Sequence, residues 1–254
     1  MNGKVYLVGA GPGDPELLTL KALRALREAD VVLHDELVGH EILSLIAATA
    51  ETHNVGKRCG QQRITQDEIN ALMVNHAVKG LTVVRLKAGD PLIFGRAGEE
   101  IEALRRAQIA FEIVPGITAA LGAAAAAQVP LTHRHLASRV VFLPGHRAVG
   151  ASHDSQPLIA RDTTLVLYMP GDDYGGISRR LRATGLDAMT PCAVISQATT
   201  VTQQIQETTV GQLMEAAPLP APCVLIIGAV ARFATQALSP RLATGELANC
   251  WAQL

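Results

Sequence analysis

The residues able to do chemistry sit just past the ends of apolar runs. Gly9-Ala10-Gly11-Pro12-Gly13-Asp14-Pro15 follows Lys4-Val5-Tyr6-Leu7-Val8 directly. Glycines at alternate positions let a backbone turn sharply and approach a ligand closely. The GxGxG spacing differs from the GxGxxG of a dinucleotide fingerprint, and Pro12 and Pro15 remove amide donors that a phosphate would use. The loop suits a ligand without phosphates, or else is a plain strand-to-helix turn. A second group, Ala88-Gly89-Asp90-Pro91, follows Val83-Val84-Arg85-Leu86-Lys87. Ligands of open α/β sheets bind beyond the C-terminal ends of strands. Two such loops in one region point to a small-molecule site.

Charge is distributed unevenly around them. Ile113 to His153 contains no Asp or Glu but holds Arg134, Arg139, Arg147, His133, His135, His146 and His153. A second acid-free stretch, His53 to Gln66, carries Lys57, Arg58 and Arg63. Concentrated cations attract polyanions, and arginine grips carboxylates bidentately. With aromatics at only 3%, stacking platforms for nucleic acid are scarce. A small molecule with several carboxylates is the better match.

These groups need a scaffold, and the first half of the chain supplies an alternating one. Strands are predicted at Val5–Val8, Val31–Leu33, Thr52–Val55, Thr82–Leu86 and Phe111–Val114. Between them lie helical patterns at Leu17–Arg27, Ile42–Ala48, Thr65–Lys79 and Glu99–Ala107. The third opens on Thr65 with Glu68 three residues on, a capping box. Such alternation gives a mostly parallel sheet with helices on both faces. Pro115-Gly116 punctuates the pattern and an alanine-rich helix follows. A second series then begins, with strands at Arg139–Leu143, Thr163–Tyr168, Pro191–Ile195, Thr202–Glu207 and Cys223–Ile227, and helices at Ile177–Ala183 and Gly211–Ala216. The reading is two α/β domains, residues 1–115 and 116–240, and a tail over 241–254.

Composition sets the outer bounds. With 254 residues, 48% of them hydrophobic, the chain can bury a sizeable core. A formal net charge of −1 with 18% charged residues argues against a nucleic-acid binder and against disorder. Cys59, Cys192, Cys223 and Cys250 are scattered without a CxxC pair, so neither a metal site nor a disulfide framework is expected and a reducing cytoplasm fits. Met1 runs almost directly into a strand, and no apolar run is long enough to span a bilayer. No membrane partner is expected.

In this order, the blocks VYLVGAGPGDPELLTL (5–20), HDELV (34–38), VGKRCG (55–60), VVRLKAGDPLIFGRAGEE (83–100), VPGITAA (114–120), VPLTHR (129–134), GHR (145–147) and LYM (167–169) resemble the uroporphyrinogen-III C-methyltransferase family of tetrapyrrole methylases. The resemblance covers roughly residues 3–235. It implies an active site in the cleft between the two domains, a homodimer, and S-adenosylmethionine as methyl donor. The implied reaction methylates uroporphyrinogen III at C2 and C7, giving precorrin-2 by way of precorrin-1, on the route to sirohaem and cobalamin. The alternative is a same-fold methyltransferase acting on a later corrinoid precursor or another acceptor. By resemblance, Asp35 is the proton acceptor, Lys57 a donor or orienter, and Arg96 a further catalytic candidate. Pro12, Ala88, Gly89, Asp90, Ile93, Thr118, Ala119, Met169 and Ala198 are implied cofactor contacts, and Glu99, His133 and Arg134 implied substrate contacts. Read as bare sequence, Asp35 could instead cap a helix and Arg96 could pair with Glu99 across a helical turn. The chain departs from the family pattern at Glu36 (usually Arg), Ala88 and Ala97 (usually or often Gly), Pro144 (usually Thr) and in the block from Pro170.

Overall fold

The computed structural model describes residues 2–56, 64–145 and 162–235. The chain divides into two compact units, Met1–Gly122 and Ala123–Leu254.

The first unit is built on a five-stranded, wholly parallel sheet. Its strands are β1 (Lys4–Gly9), β2 (Val31–His34), β3 (Glu51–Asn54), β4 (Val83–Lys87) and β5 (Ala110–Val114), in the spatial order β3-β2-β4-β1-β5. All residues of β2 and β4 are buried, as parallel strands covered on both faces must be. Helices α1 (Leu20–Arg27), α2 (His40–Leu43), α3 (Gln66–Val78) and α4 (Ala97–Arg106) fill the crossovers. The capping box read at Thr65 is formed, with both reciprocal bonds to Glu68, and α3 presents Ile69, Met73 and Ala77 to the core along one stripe. Because every strand runs the same way, all five C-terminal ends open onto one edge. That edge receives Asp35 after β2, the Ala88–Asp90 loop after β4, the Ala10–Asp14 loop after β1 and Pro115–Thr118 after β5.

Helix α5 (Ala119–Ala126) begins just beyond that last loop, and Ala120, Ala123 and Ala124 in it are buried. The second unit holds a mixed sheet of β6 (Arg139–Pro144), β7 (Thr163–Tyr168), β8 (Pro191–Ser196), β9 (Gln204–Thr209) and β10 (Cys223–Ile227), in the order β6-β7-β10-β8-β9. Only β6 and β7 pair in parallel. Antiparallel β10 lies between β7 and β8, so β7 and β8 run the same way and their C-terminal ends share an edge. Helix α6 (Tyr174–Ala183) contributes Tyr174, Ile177 and Leu181 to the core of this unit.

Three expected helices are shorter than their apolar patterns suggest. Leu17 lies outside α1, in a 3-10 turn over Pro15–Leu17, because the Thr19 hydroxyl accepts from Ala22 N–H and starts the helix there. In place of Ile42–Ala48 there is the single turn α2; the Ser44 hydroxyl bonds to the Glu41 carbonyl at 2.6 Å and offers the backbone an alternative to helix. Gly211–Ala216 yields only a 3-10 turn, Gln212–Met214, with Pro218 close behind. No helix among the described residues is long and apolar enough to cross a membrane.

Candidate active site

In the first unit the glycine loops after β1 and β4 are stitched to each other. Gly11 N–H donates to the Gly89 carbonyl at 3.1 Å and Gly89 N–H to the Gly11 carbonyl at 2.8 Å. The loop after β5 joins them: Asp90 accepts from Leu92 N–H at 2.8 Å through Oδ1 and from Gly116 N–H at 3.0 Å through Oδ2. One carboxylate therefore caps its own turn and anchors the neighbouring loop. At the junction backbone meets backbone. A Cβ added to Gly116 would lie 2.3 Å from the Gly89 carbonyl oxygen and 2.8 Å from Gly9 Cα. Gly89 itself has φ +69°, with Ala119 N 3.5 Å from where its Cβ would be. Ala88 is not left-handed, so its methyl is accommodated without backbone strain.

This contact makes a prediction. Gly116→Ala forces the three loops apart and destabilises the protein by about 1–3 kcal/mol through overpacking. Gly98→Ala is the control, because nothing lies within 4 Å of a Cβ there. Urea unfolding of both variants reads the difference; equal stability would contradict the close packing.

Asp35 follows β2 and does not cap a helix. Its Oδ1 receives the guanidinium Nη2 of Arg85. Arg85 also donates through Nε to Glu100 Oε1 at 3.0 Å, and through Nη1 to the carbonyls of Leu33 (3.3 Å) and Leu86 (3.2 Å). The same Glu100 oxygen accepts from Lys87 Nζ at 2.8 Å. Arg85, Lys87 and Glu100 are buried. Burial lowers the Lys87 pKa, with Arg85 pushing the same way and Glu100 opposing. Charged groups in such an interior persist only when paired, and here two cations meet two carboxylates.

The sequence reading missed this network. A usable signal was present: Val83–Lys87 reads as a strand of a mostly parallel sheet covered by helices on both faces, and such strands have no solvated face, so Arg85 and Lys87 require buried partners. Glu100 lies on the stripe of α4 that carries Ala97 and Leu104, an acid on an otherwise apolar face.

Arg96 and Glu99 do pair with each other. Arg96 Nε reaches Glu99 Oε2 at 2.7 Å and Nη2 reaches Oε1 at 2.9 Å, with both side chains about half exposed. The carboxylate of Glu99 holds the Arg96 pKa above its ordinary value. Arg96 is left-handed at φ +57°, as is Phe94 at +55°. Pro12 and Ile93 are partly exposed on the same loops and Thr118 is buried.

In the second unit, Met169 leaves β7 and Ala198 lies in the turn after β8. The register pairs Tyr168 and Ile195 with the same residue of β10, Val224. Met169 and Ala198 thus flank the start of β10 on one edge. Met169 is half exposed at φ +49°, and Gln197 and Thr199 on either side of Ala198 have φ +48° and +68°. Of the seven left-handed non-glycine residues described, Gln108 and Gln128 follow helix ends; the other five stand on loops at strand C-termini. Strain of about 1–3 kcal/mol per residue concentrates at functional loops. Gly145 after β6 packs against Pro170, its N–H donating to the Tyr168 carbonyl at 2.6 Å.

The basic stretch is less free than its sequence suggests. Arg139 pairs with Asp162. The His133 ring stacks on Phe233, centroids 5.7 Å apart, and its Nδ1 accepts from His135 N–H. Arg134 is exposed. Lys57, Arg58, Arg63, His146, Arg147 and His153 lie outside the described residues.

Residues 4–214 match the family of Tetrapyrrole (Corrin/Porphyrin) Methylases. The chain belongs to this family. It is 48% identical over 244 residues to a uroporphyrinogen-III C-methyltransferase of Paracoccus denitrificans, covering 94% of this chain and 85% of that one. It is 50% identical over 230 residues to a sirohaem synthase of Neisseria meningitidis, of which those residues span only 48%. Among solved structures, the uroporphyrin-III C-methyltransferase of Thermus thermophilus complexed with S-adenosylhomocysteine aligns with a TM-score of 0.77 at 39% identity, over 91% of this methylase and 99% of that chain.

Proposed function

We propose that this methylase transfers methyl groups from S-adenosylmethionine to C2 and C7 of uroporphyrinogen III, giving precorrin-2 through precorrin-1. The observation that carries the proposal is near-full-length similarity, at 48% identity, to a relative of that activity. The site supports it. The loops after β1, β4 and β5 offer a floor of backbone amides and carbonyls around Gly11, Gly89 and Gly116, which suits a zwitterionic ligand without phosphates. Pro12, Ala88, Gly89, Asp90, Ile93, Thr118, Ala119, Met169 and Ala198 are the proposed donor contacts.

When bound, S-adenosylmethionine supplies an electrophilic methyl, its sulfur keeping the bonding electron pair as an electron-rich pyrrole carbon takes the carbon. The protein aligns the partners, which can remove several kcal/mol of barrier (about 7–11 at the limit). Asp35 accepts the proton released as the alkylated ring settles, with Lys57 as donor or orienter. Arg96, Glu99, His133 and Arg134 handle the substrate and its carboxylates. The proposal includes a homodimer working in the cytoplasm, its product leading to sirohaem or cobalamin.

A second reading, action on a later corrinoid precursor or another acceptor, draws on Glu36. This acid accepts from Asn54 Nδ2 at 2.6 Å where the family usually carries arginine. Incubation with uroporphyrinogen III and S-adenosylmethionine separates the two. The absorption spectrum of precorrin-2 or its oxidation product is expected; donor binding without that spectrum would favour the second.

A further inference from the structure

We propose that Arg85 is a positioning residue for Asp35, and that Glu100 makes its burial possible. The inference rests on the function proposed above, in which Asp35 takes a proton.

The four charged groups are not equivalent. The side chains of Arg85 and Lys87 are each 3% exposed and that of Glu100 is 0% exposed, whereas Asp35 is 31% exposed. The network therefore has a sealed end under α4 and one end that reaches the ligand-side edge of the sheet. Arg85 cannot swing between them. Its Nη1 is held by two strand carbonyls and its Nε by Glu100, which fixes the plane of the guanidinium. A rigid planar fork is what orients a carboxylate; a lysine at this position would supply charge without direction. Nη2 engages Asp35 Oδ1, which makes Oδ2 the oxygen that accepts the proton.

The charges also explain why this device tolerates burial. Glu100 Oε1 serves both cations of β4, so removing Arg85 leaves Lys87 and Glu100 as a balanced pair. Arg85→Met should therefore fold. Its effect should fall on Asp35, which loses its anchor.

Arg85→Met, Asp35→Asn and the double variant form the test, with turnover, KM and S-adenosylhomocysteine affinity measured for each. Arg85→Met should lower turnover by about 10²-fold, the scale of a misplaced reacting group, with KM and cofactor affinity little changed. The double variant should be no slower than Asp35→Asn alone, because Arg85 acts only through Asp35. Arg85→Lys should recover little, since it restores charge without the fork. Turnover losses that multiply in the double variant, or an Arg85→Met enzyme as fast as the wild type, would overturn the inference. If Arg85→Met does not fold, Arg85→Lys carries the same cycle. An inactive wild-type enzyme on uroporphyrinogen III sinks the proposed function, and this inference with it. An active wild type with a multiplicative cycle sinks the inference alone.

Discussion

Asp35→Asn should lower turnover by about 10²–10⁴-fold, the usual loss on removing a general base, while S-adenosylhomocysteine binds as before. Asparagine keeps the shape of the side chain and an oxygen that can still accept from Arg85 Nη2, so the loop after β2 stays in place. It lacks the second oxygen that could take a proton. The floor formed by Gly11, Gly89 and Gly116 belongs to other loops and is untouched. Steady-state kinetics alongside calorimetry separates the two properties. Wild-type turnover in this variant would remove Asp35 from the mechanism, and lost cofactor affinity would reassign it to binding.

Glu100→Gln should destabilise the protein by about 3–5 kcal/mol, the cost of leaving buried charge uncompensated. Glu100 is the shared counter-ion of Arg85 and Lys87. Glutamine fills the same space but leaves two cations facing one neutral oxygen beneath α4. The deficit should shrink as pH rises. Burial and Arg85 already lower the Lys87 pKa and only Glu100 and Asp35 oppose them, so the variant's Lys87 sheds its proton more readily and the repulsion fades. Below that range the native state must hold a proton against the surrounding charge, and the full loss is seen. Adding Lys87→Met to Glu100→Gln restores balance between Arg85 and Asp35 and should recover much of the stability. Urea unfolding across neutral and alkaline pH measures all three proteins. A pH-independent deficit, or no recovery in the double variant, would count against the ion network.

Much of this is legible in the sequence. The inner strands β2 and β4 were legible because parallel strands buried on both faces read as continuous apolar runs, and the β4 run survived even with Arg85 and Lys87 inside it; β3, polar and largely exposed, was legible only from the alternation around it. The Thr65 cap was legible because its chemistry is local. Helix lengths at α2 and near Gly211 were not, since Ser44 and Pro218 act against an apolar period that counts only hydrophobic positions. At the candidate site, the loops after β1 and β4 announced themselves through glycine spacing. The Arg85–Glu100 pair did not: its partners are brought together by a strand and a helix, and neither residue forms a motif with the other. The pairing of Arg96 with Glu99 was legible as an alternative because it obeys helical spacing.

The junction of Gly9, Gly89 and Gly116 has a consequence for how such a protein can diversify. Three chain segments touch there through main-chain atoms, so no side chain can be inserted at Gly9 or Gly116 without prising the strand exits apart, and at Gly89 the left-handed backbone itself favours glycine. The contour of that junction is in effect frozen, while the residues around its margin remain free to vary. Given the proposed site, a change of acceptor would be written in that margin, at positions such as Glu36 or Arg96, and not at the junction.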